Sequence, residues 1–184
     1  GAWINNQNRL GQKKFVTAFT PRLAMMQKNM KPFFEVYPEG RVISVIRDPK
    51  NWFPSATRHQ LNKYGEIHHA LEQWLDSAKS MIENKRQYGD RVCIITFEDL
   101  VRCTDPVMHY LAGCLDIKFD NILLTPTFNK MPIKPNTSFK LEKPGIMTSA
   151  VERYKTLSKE QLGIIKERTA DLYNQVLDVV VSIE

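Results

Sequence analysis

Arg41-Val-Ile-Ser-Val-Ile-Arg47-Asp-Pro-Lys-Asn-Trp-Phe-Pro-Ser55-Ala-Thr-Arg58-His59 is a short β-branched run, a Pro-containing turn and a helical stretch in direct succession. Val42, Ile43, Val45 and Ile46 read as a strand buried on both faces, the pattern of a parallel sheet. Arg47 then emerges at the carboxyl end of the strand, where open α/β sheets bind ligands. Ser55 follows eight positions later and, with Arg58, is carried by the next helix toward the same crevice. A guanidinium fork and a hydroxyl on one rim suit a phosphate ester. The same residues also fit a strand-end Arg paired to Asp48 or to a helix C-terminus.

Outward from this stretch, the chain continues an α/β pattern. Tyr37-Pro-Glu-Gly40 is a turn that launches the strand. Ile67 to Tyr88 places Ile67, Ala70, Leu71, Trp74, Leu75, Ala78 and Ile82 on one helical stripe. Gly89-Asp90 ends that helix, and Arg91 to Phe97 forms a second apolar strand. Strand–helix–strand implies a parallel, right-handed crossover. Upstream, Lys14 to Thr20 alternates weakly like a strand. Leu23 to Phe34 has helical spacing, limited by Pro32. Downstream, Asp105-Pro106 reads as a cap and first helical residue for a helix to about Leu115. Residues 120–150 are Pro-, Thr- and Asn-rich and read as a long loop. Ser158-Lys-Glu-Gln161 fits a capping box. The closing helix has a Leu162, Ile165, Thr169, Leu172, Val176 and Val180 stripe expected to pack on the sheet. The reading is a single domain over residues 1–184, α/β, with a parallel sheet flanked by helices.

The strand, the Arg-Asp-Pro turn and the Ser eight residues on resemble the 3′-phosphate-binding element of sulfotransferases that use 3′-phosphoadenosine-5′-phosphosulfate (PAPS). That resemblance implies that Arg47 and Ser55 hold the 3′-phosphate. Phe97-Glu-Asp-Leu100 resembles an aromatic-Glu-Asp-Leu segment whose usual Tyr approaches the adenine; with Phe97, only packing against the base is implied. Asn136-Thr-Ser-Phe139 is similar to a family segment that contacts adenine, which gives Thr137 and Phe139 that role. Leu141-Glu-Lys-Pro-Gly145 partly resembles an Arg-Lys-Gly segment that clamps the 3′-phosphate, and Lys143 is the residue able to supply the charge. The resemblance runs from about Phe15 through the closing helix.

One family element has no counterpart here. The P-loop-like turn that binds the 5′-phosphosulfate needs Gly, a cation and a hydroxyl at a helix start, and neither Gly11-Gln-Lys-Lys nor Gly65-Glu-Ile-His fits. The implied fold is therefore a P-loop-NTPase-like sulfotransferase fold incomplete at its N-terminus, and the chain its C-terminal portion. No catalytic base is assigned. His59, His68, His69 and His109 all follow Arg47, and adjacent helix positions such as His68 and His69 do not face one point.

Composition narrows the classes. Of 184 residues, 42% are hydrophobic and 25% charged, ordinary for a globular protein. No apolar run approaches the roughly 20 residues of a membrane span. The net charge of +6 favours an anionic partner. Lys and Arg are scattered, without a basic tract or an aromatic–basic RNA motif, so a polyanionic nucleotide accounts for the charge and no nucleic-acid partner is expected. Cys93, Cys103 and Cys114 lack metal-ligand spacing and no metal is called for; reduced buried thiols favour the cytoplasm, while the odd count is also compatible with a lumenal protein. The leading expectation is transfer of a sulfuryl group from PAPS, releasing 3′-phosphoadenosine 5′-phosphate (PAP), to a hydroxyl or amine of a small-molecule or glycan acceptor. The alternatives are a nucleotide kinase-like P-loop fragment and a non-catalytic nucleotide- or nucleic-acid-binding module.

Overall fold

β1 (Val42–Ile46) and β2 (Val92–Thr96) pair in parallel, Val42 beside Val92 and Ile46 beside Thr96. The computed structural model describes residues 17–128, 131–132 and 146–181. α5 (Ile67–Tyr88) makes the crossover between the strands, with the boundaries its apolar stripe predicts. It ends at Gly89, whose φ of 55° is a conformation that side chains with a Cβ resist. Gly40 has a different constraint: a Cβ there would meet the Phe33 ring and the Tyr37 carbonyl at 2.9 Å. The turn that launches β1 can thus lie flat on α2 (Gln27–Val36).

The two strands differ in burial. β2 is buried throughout, whereas β1 alternates, with Ile43 and Val45 still 39% and 44% exposed. The expected two-sided burial of β1 therefore fails on one face. On the covered face Val42, Ile46, Val92 and Ile94 meet Trp74, Ala78 and Ile82 of α5 and Met30 and Phe34 of α2. On the other face Cys93 and Ile95 are roofed by Val107 and Leu111 of α7 (Thr104–Cys114), which packs on β2. Among the described residues that roof does not extend across Ile43 and Val45.

Several boundaries also move. Residues 17–20 form no strand, and the remainder of that predicted segment lies outside the described residues. The predicted helix over Leu23 to Phe34 is two, α1 (Pro21–Met25) and α2, broken at Met26 where ψ is 105°. Pro32 sits inside α2, where it forfeits one backbone bond without ending the helix. α7 starts one residue before Asp105. The long loop contains a 3-10 turn (Asn121–Leu124), a two-residue hairpin of β3 (Thr127–Phe128) with β4 (Met131–Pro132), and a nine-residue 3-10 helix (Thr148–Thr156). Ser158 forms the expected capping box with Gln161, opening α8 (Lys159–Leu177). Ile165, Thr169 and Val176 of α8 are buried as expected, but the helix packs mainly on α5 and on α3 (Pro49–His59), which the single turn α4 (Leu61–Tyr64) follows. Val176 is buried in the core shared with the strands, and Leu172 and Tyr173 pack against that core.

Candidate functional site

Arg47 is the first residue beyond β1, and Pro49 starts α3 two residues later. Asp48 caps that helix. Its Oδ1 accepts from Lys50 N at 3.0 Å and its Oδ2 pairs with Lys50 Nζ at 3.1 Å. The nearest acid is thereby committed to the helix start. Arg47 instead donates from Nη2 to the Ala150 carbonyl, and its own carbonyl accepts from Trp74 Nε1 at 3.0 Å. The guanidinium lies over the Phe97 ring, 4.4 Å from its centroid. Its Nε is buried and finds no hydrogen-bond partner among the described residues. Burial, and then the like charge of Arg153, push the Arg47 pKa down to about 10, with Glu98 and Asp48 opposing.

Ser55 lies in the second turn of α3, partly buried, with its Oγ accepting from Arg153 Nη1 at 3.0 Å. Arg153 comes from the 3-10 helix Thr148–Thr156, which packs across α3 and α6 (Phe97–Arg102). Burial, and then the charge of Arg58, lower the Arg153 pKa. Arg153 thus lies between two like charges, Arg47 and Arg58, and beside a hydroxyl that can donate or accept. Among the described residues the buried Arg47 Nε has no acceptor, and an unmet buried donor costs about 1–3 kcal/mol. Dianionic phosphate, with several acceptor oxygens, is matched to that arrangement.

Arg47 and Ser55 stand on consecutive elements, and Arg153 connects them, donating to Ser55 Oγ and lowering the Arg47 pKa by its charge. Phe97 adjoins them, but its described ring contact is with Arg47. Thr137, Phe139 and Lys143 lie outside the described residues. Arg153 is the residue that sequence reasoning missed. It stands 98 positions after Ser55 in a segment without helical periodicity, and its only signal was a cation shortly before the capping box. Among the described residues no three metal-ligating side chains cluster, and no helix is long and apolar enough to cross a membrane.

A model of the sulfotransferase family matches residues 10–121, more than half of the chain. Two solved structures are also similar. One is the sulfotransferase domain from the curacin biosynthetic pathway, at 20% identity and a TM-score of 0.66, covering 92% of this chain and 66% of that one. The other is the sulfotransferase domain from the Synechococcus PCC 7002 olefin synthase, at 19% identity and a TM-score of 0.69, covering 92% of this chain and 63% of that one. The chain spans less than two thirds of the length of either domain. At such identities the likeness is one of fold: mixed α/β, rich in helix, with a parallel sheet. No curated protein matches the sequence.

Proposed function

Because the chain belongs to the sulfotransferase family, we propose that it binds the 3′-phosphoadenosine end of PAPS and serves sulfuryl transfer to a hydroxyl or amine of a small-molecule or glycan acceptor. The observation that carries this reading is the convergence of Arg47, Ser55 and Arg153, with Arg153 Nη1 3.0 Å from Ser55 Oγ and Arg47 Nε buried without a hydrogen-bond partner among the described residues. A terminal phosphate monoester there accepts from both guanidiniums and from the Ser55 hydroxyl. Thr137 and Phe139 are proposed to contact the adenine, and Lys143 to add charge at the phosphate. In the reaction the acceptor oxygen or nitrogen bonds to sulfur as the sulfur–oxygen bond to the 5′-phosphate breaks. The acceptor proton passes to a base, and PAP departs. The described residues contribute by holding the nucleotide in line, and positioning of that kind lowers the barrier without covalent help. The free thiols at Cys93, Cys103 and Cys114 fit a cytoplasmic setting.

Calorimetry on the full chain with PAP and with adenosine 5′-phosphate tests the proposal. The bisphosphate should bind more tightly, and Arg47→Ala should erase most of the difference. Equal affinities in the unmodified chain, or a preference for magnesium–ATP over PAP, would overturn it.

A further inference from the structure

Behind the phosphate-facing groups runs a buried chain of hydrogen bonds with a fixed direction. Asp48 N donates to Glu98 Oε2 at 3.1 Å, and Asn51 Nδ2 donates to Glu98 Oε1 at 3.2 Å. Asn51 Oδ1 in turn accepts from Tyr154 N at 3.1 Å. Asn51 is 2% exposed and Glu98 8% exposed, so water cannot stand in for a lost partner. The chain joins the residue after Arg47, the helix bearing Ser55, the start of α6 and the residue after Arg153. All three cofactor-facing groups are therefore one covalent neighbour or one helix away from it.

We infer that Asn51 and Glu98 are positioning residues that hold the Arg153 segment in register with Arg47 and Ser55, so that the three groups meet one phosphate. This rests on the reading of the site as a 3′-phosphate subsite. The direction of the bonds explains the residue types. A backbone N–H can only donate, so Tyr154 fixes the Asn51 oxygen toward itself and leaves the Asn51 amino group facing Glu98. Asp48 N also donates. Glu98 thus receives two donors and needs two accepting oxygens, which a carboxylate has and an amide lacks. An acid at this position without Asn51 would be a buried charge short of a partner, and Asn51 without the acid would be a buried amino group short of an acceptor.

The same polarity supplies a test by exchange. Glu98→Gln places an amino group against a donor whichever way the new amide turns, unless Asn51 flips and opposes the Tyr154 N–H. Asn51→Asp keeps an acceptor for Tyr154 but sets two carboxylates against each other. The double substitution Asn51→Asp with Glu98→Gln restores every donor–acceptor match, at unchanged net charge. The new carboxylate accepts from Tyr154 N and from the new amide, whose oxygen still accepts from Asp48 N.

Two readouts on the full chain separate the possibilities: calorimetric affinity for PAP against adenosine 5′-phosphate, and hydrogen exchange at the Tyr154 amide. Each single variant should lose at least about tenfold of the preference for the bisphosphate, equivalent to ~1.4 kcal/mol, and should lose Tyr154 protection. The double variant should regain both. Singles that keep preference and protection, or a double variant as poor as either single, would overturn the inference. If a single variant does not fold, the double variant decides: folded and selective supports the relay, unfolded or unselective refutes it. If the unmodified chain shows no preference for the bisphosphate, the subsite reading falls, and the exchange pattern at Tyr154 alone then judges the relay.

Discussion

Arg153→Ala is the substitution on which function and stability should move differently. The side chain supplies a charge-assisted donor, worth about 1.5–3 kcal/mol when its partner is ionised. A unit charge about 4 Å from the phosphate would contribute ~4 kcal/mol at an effective dielectric of 20. The two figures describe much the same electrostatics and do not add, and Arg153 is only partly buried, so solvent screening reduces the second. The expected loss in binding of PAP is about 2 kcal/mol, roughly 30-fold, with adenosine 5′-phosphate unaffected because it lacks the 3′-phosphate. The unliganded protein meets opposite effects. It loses the bond from Arg153 to Ser55 Oγ, yet Arg47 and Arg153's other neighbour Arg58 are relieved of a like charge. Its thermal midpoint should stay within about 2–4 °C of the unmodified chain, the shift that 1 kcal/mol makes in a domain of this size. Calorimetry with both nucleotides and a thermal melt are sufficient. Equal weakening of both nucleotides, or unchanged PAP binding with a large drop in midpoint, would make Arg153 a structural strut and refute the reasoning.

Three further outcomes follow from the scaffold. The Glu66 carboxylate caps α5 by accepting from His68 N and His69 N, and those bonds hold its pKa below the ordinary 4.5. The stability it lends is thus full above the unfolded value and fades as pH falls through the lower folded one. Glu66→Gln should lower the thermal midpoint at neutral pH and converge with the unmodified chain in acid; a gap independent of pH contradicts this. Burial pushes the Cys93 thiol up to about 12, while Cys103 is exposed. Maleimide should label Cys103 first and Cys93 only on unfolding, as peptide mass spectrometry would read; early labelling of Cys93 removes the case for a closed β2–α7 interface. Trp74→Phe deletes the donor to the partly buried Arg47 carbonyl and should cost about 1 kcal/mol in urea unfolding, the low end of the penalty for an unmet acceptor. An unchanged midpoint would show that this carbonyl finds another partner.

Where the sequence spoke clearly, periodicity met punctuation. α5 combines an unbroken apolar stripe with a glycine that a positive φ requires, and both of its ends are legible. The capping box at Ser158 is equally local, because its two bonds lie within four residues. β1 was misjudged on one face for a reason its residues do not contain. Ile43 and Val45 are as apolar as Val42 and Ile46, and whether a face is covered depends on which helix lies across it. α7 covers Cys93 and Ile95, and among the described residues it goes no further. The direction in which α8 packs was likewise a tertiary matter: the stripe identifies the buried side chains and is silent on their partner.

Arg153 was illegible for a more specific reason. It lies in a nine-residue 3-10 helix, a geometry that seldom persists beyond three or four residues and leaves no 3.6-residue signature. What sustains this one is contact with α3, including the bond from Tyr154 N to Asn51.

The same contact bears on whether Arg47 is a structural arginine or one kept for a ligand. A strand-end arginine that serves the fold alone is normally matched by a nearby acid. Here both candidates are spoken for. Asp48 holds Lys50, and each Glu98 oxygen takes a neutral donor. Among the described residues Arg47 has a neutral carbonyl, an aromatic face, a buried Nε without a bond and another guanidinium that, with burial, lowers its pKa against the smaller opposing charges of Glu98 and Asp48. Each of those features except the carbonyl and the ring disfavours the folded chain on its own. A phosphate between Arg47 and Arg153 reverses both unfavourable terms at once: it accepts from the idle Nε and turns a repulsion into two attractions. That asymmetry between the empty and the filled site, more than the number of basic residues, is the argument for the proposed phosphate subsite over a strand end that happens to carry an arginine.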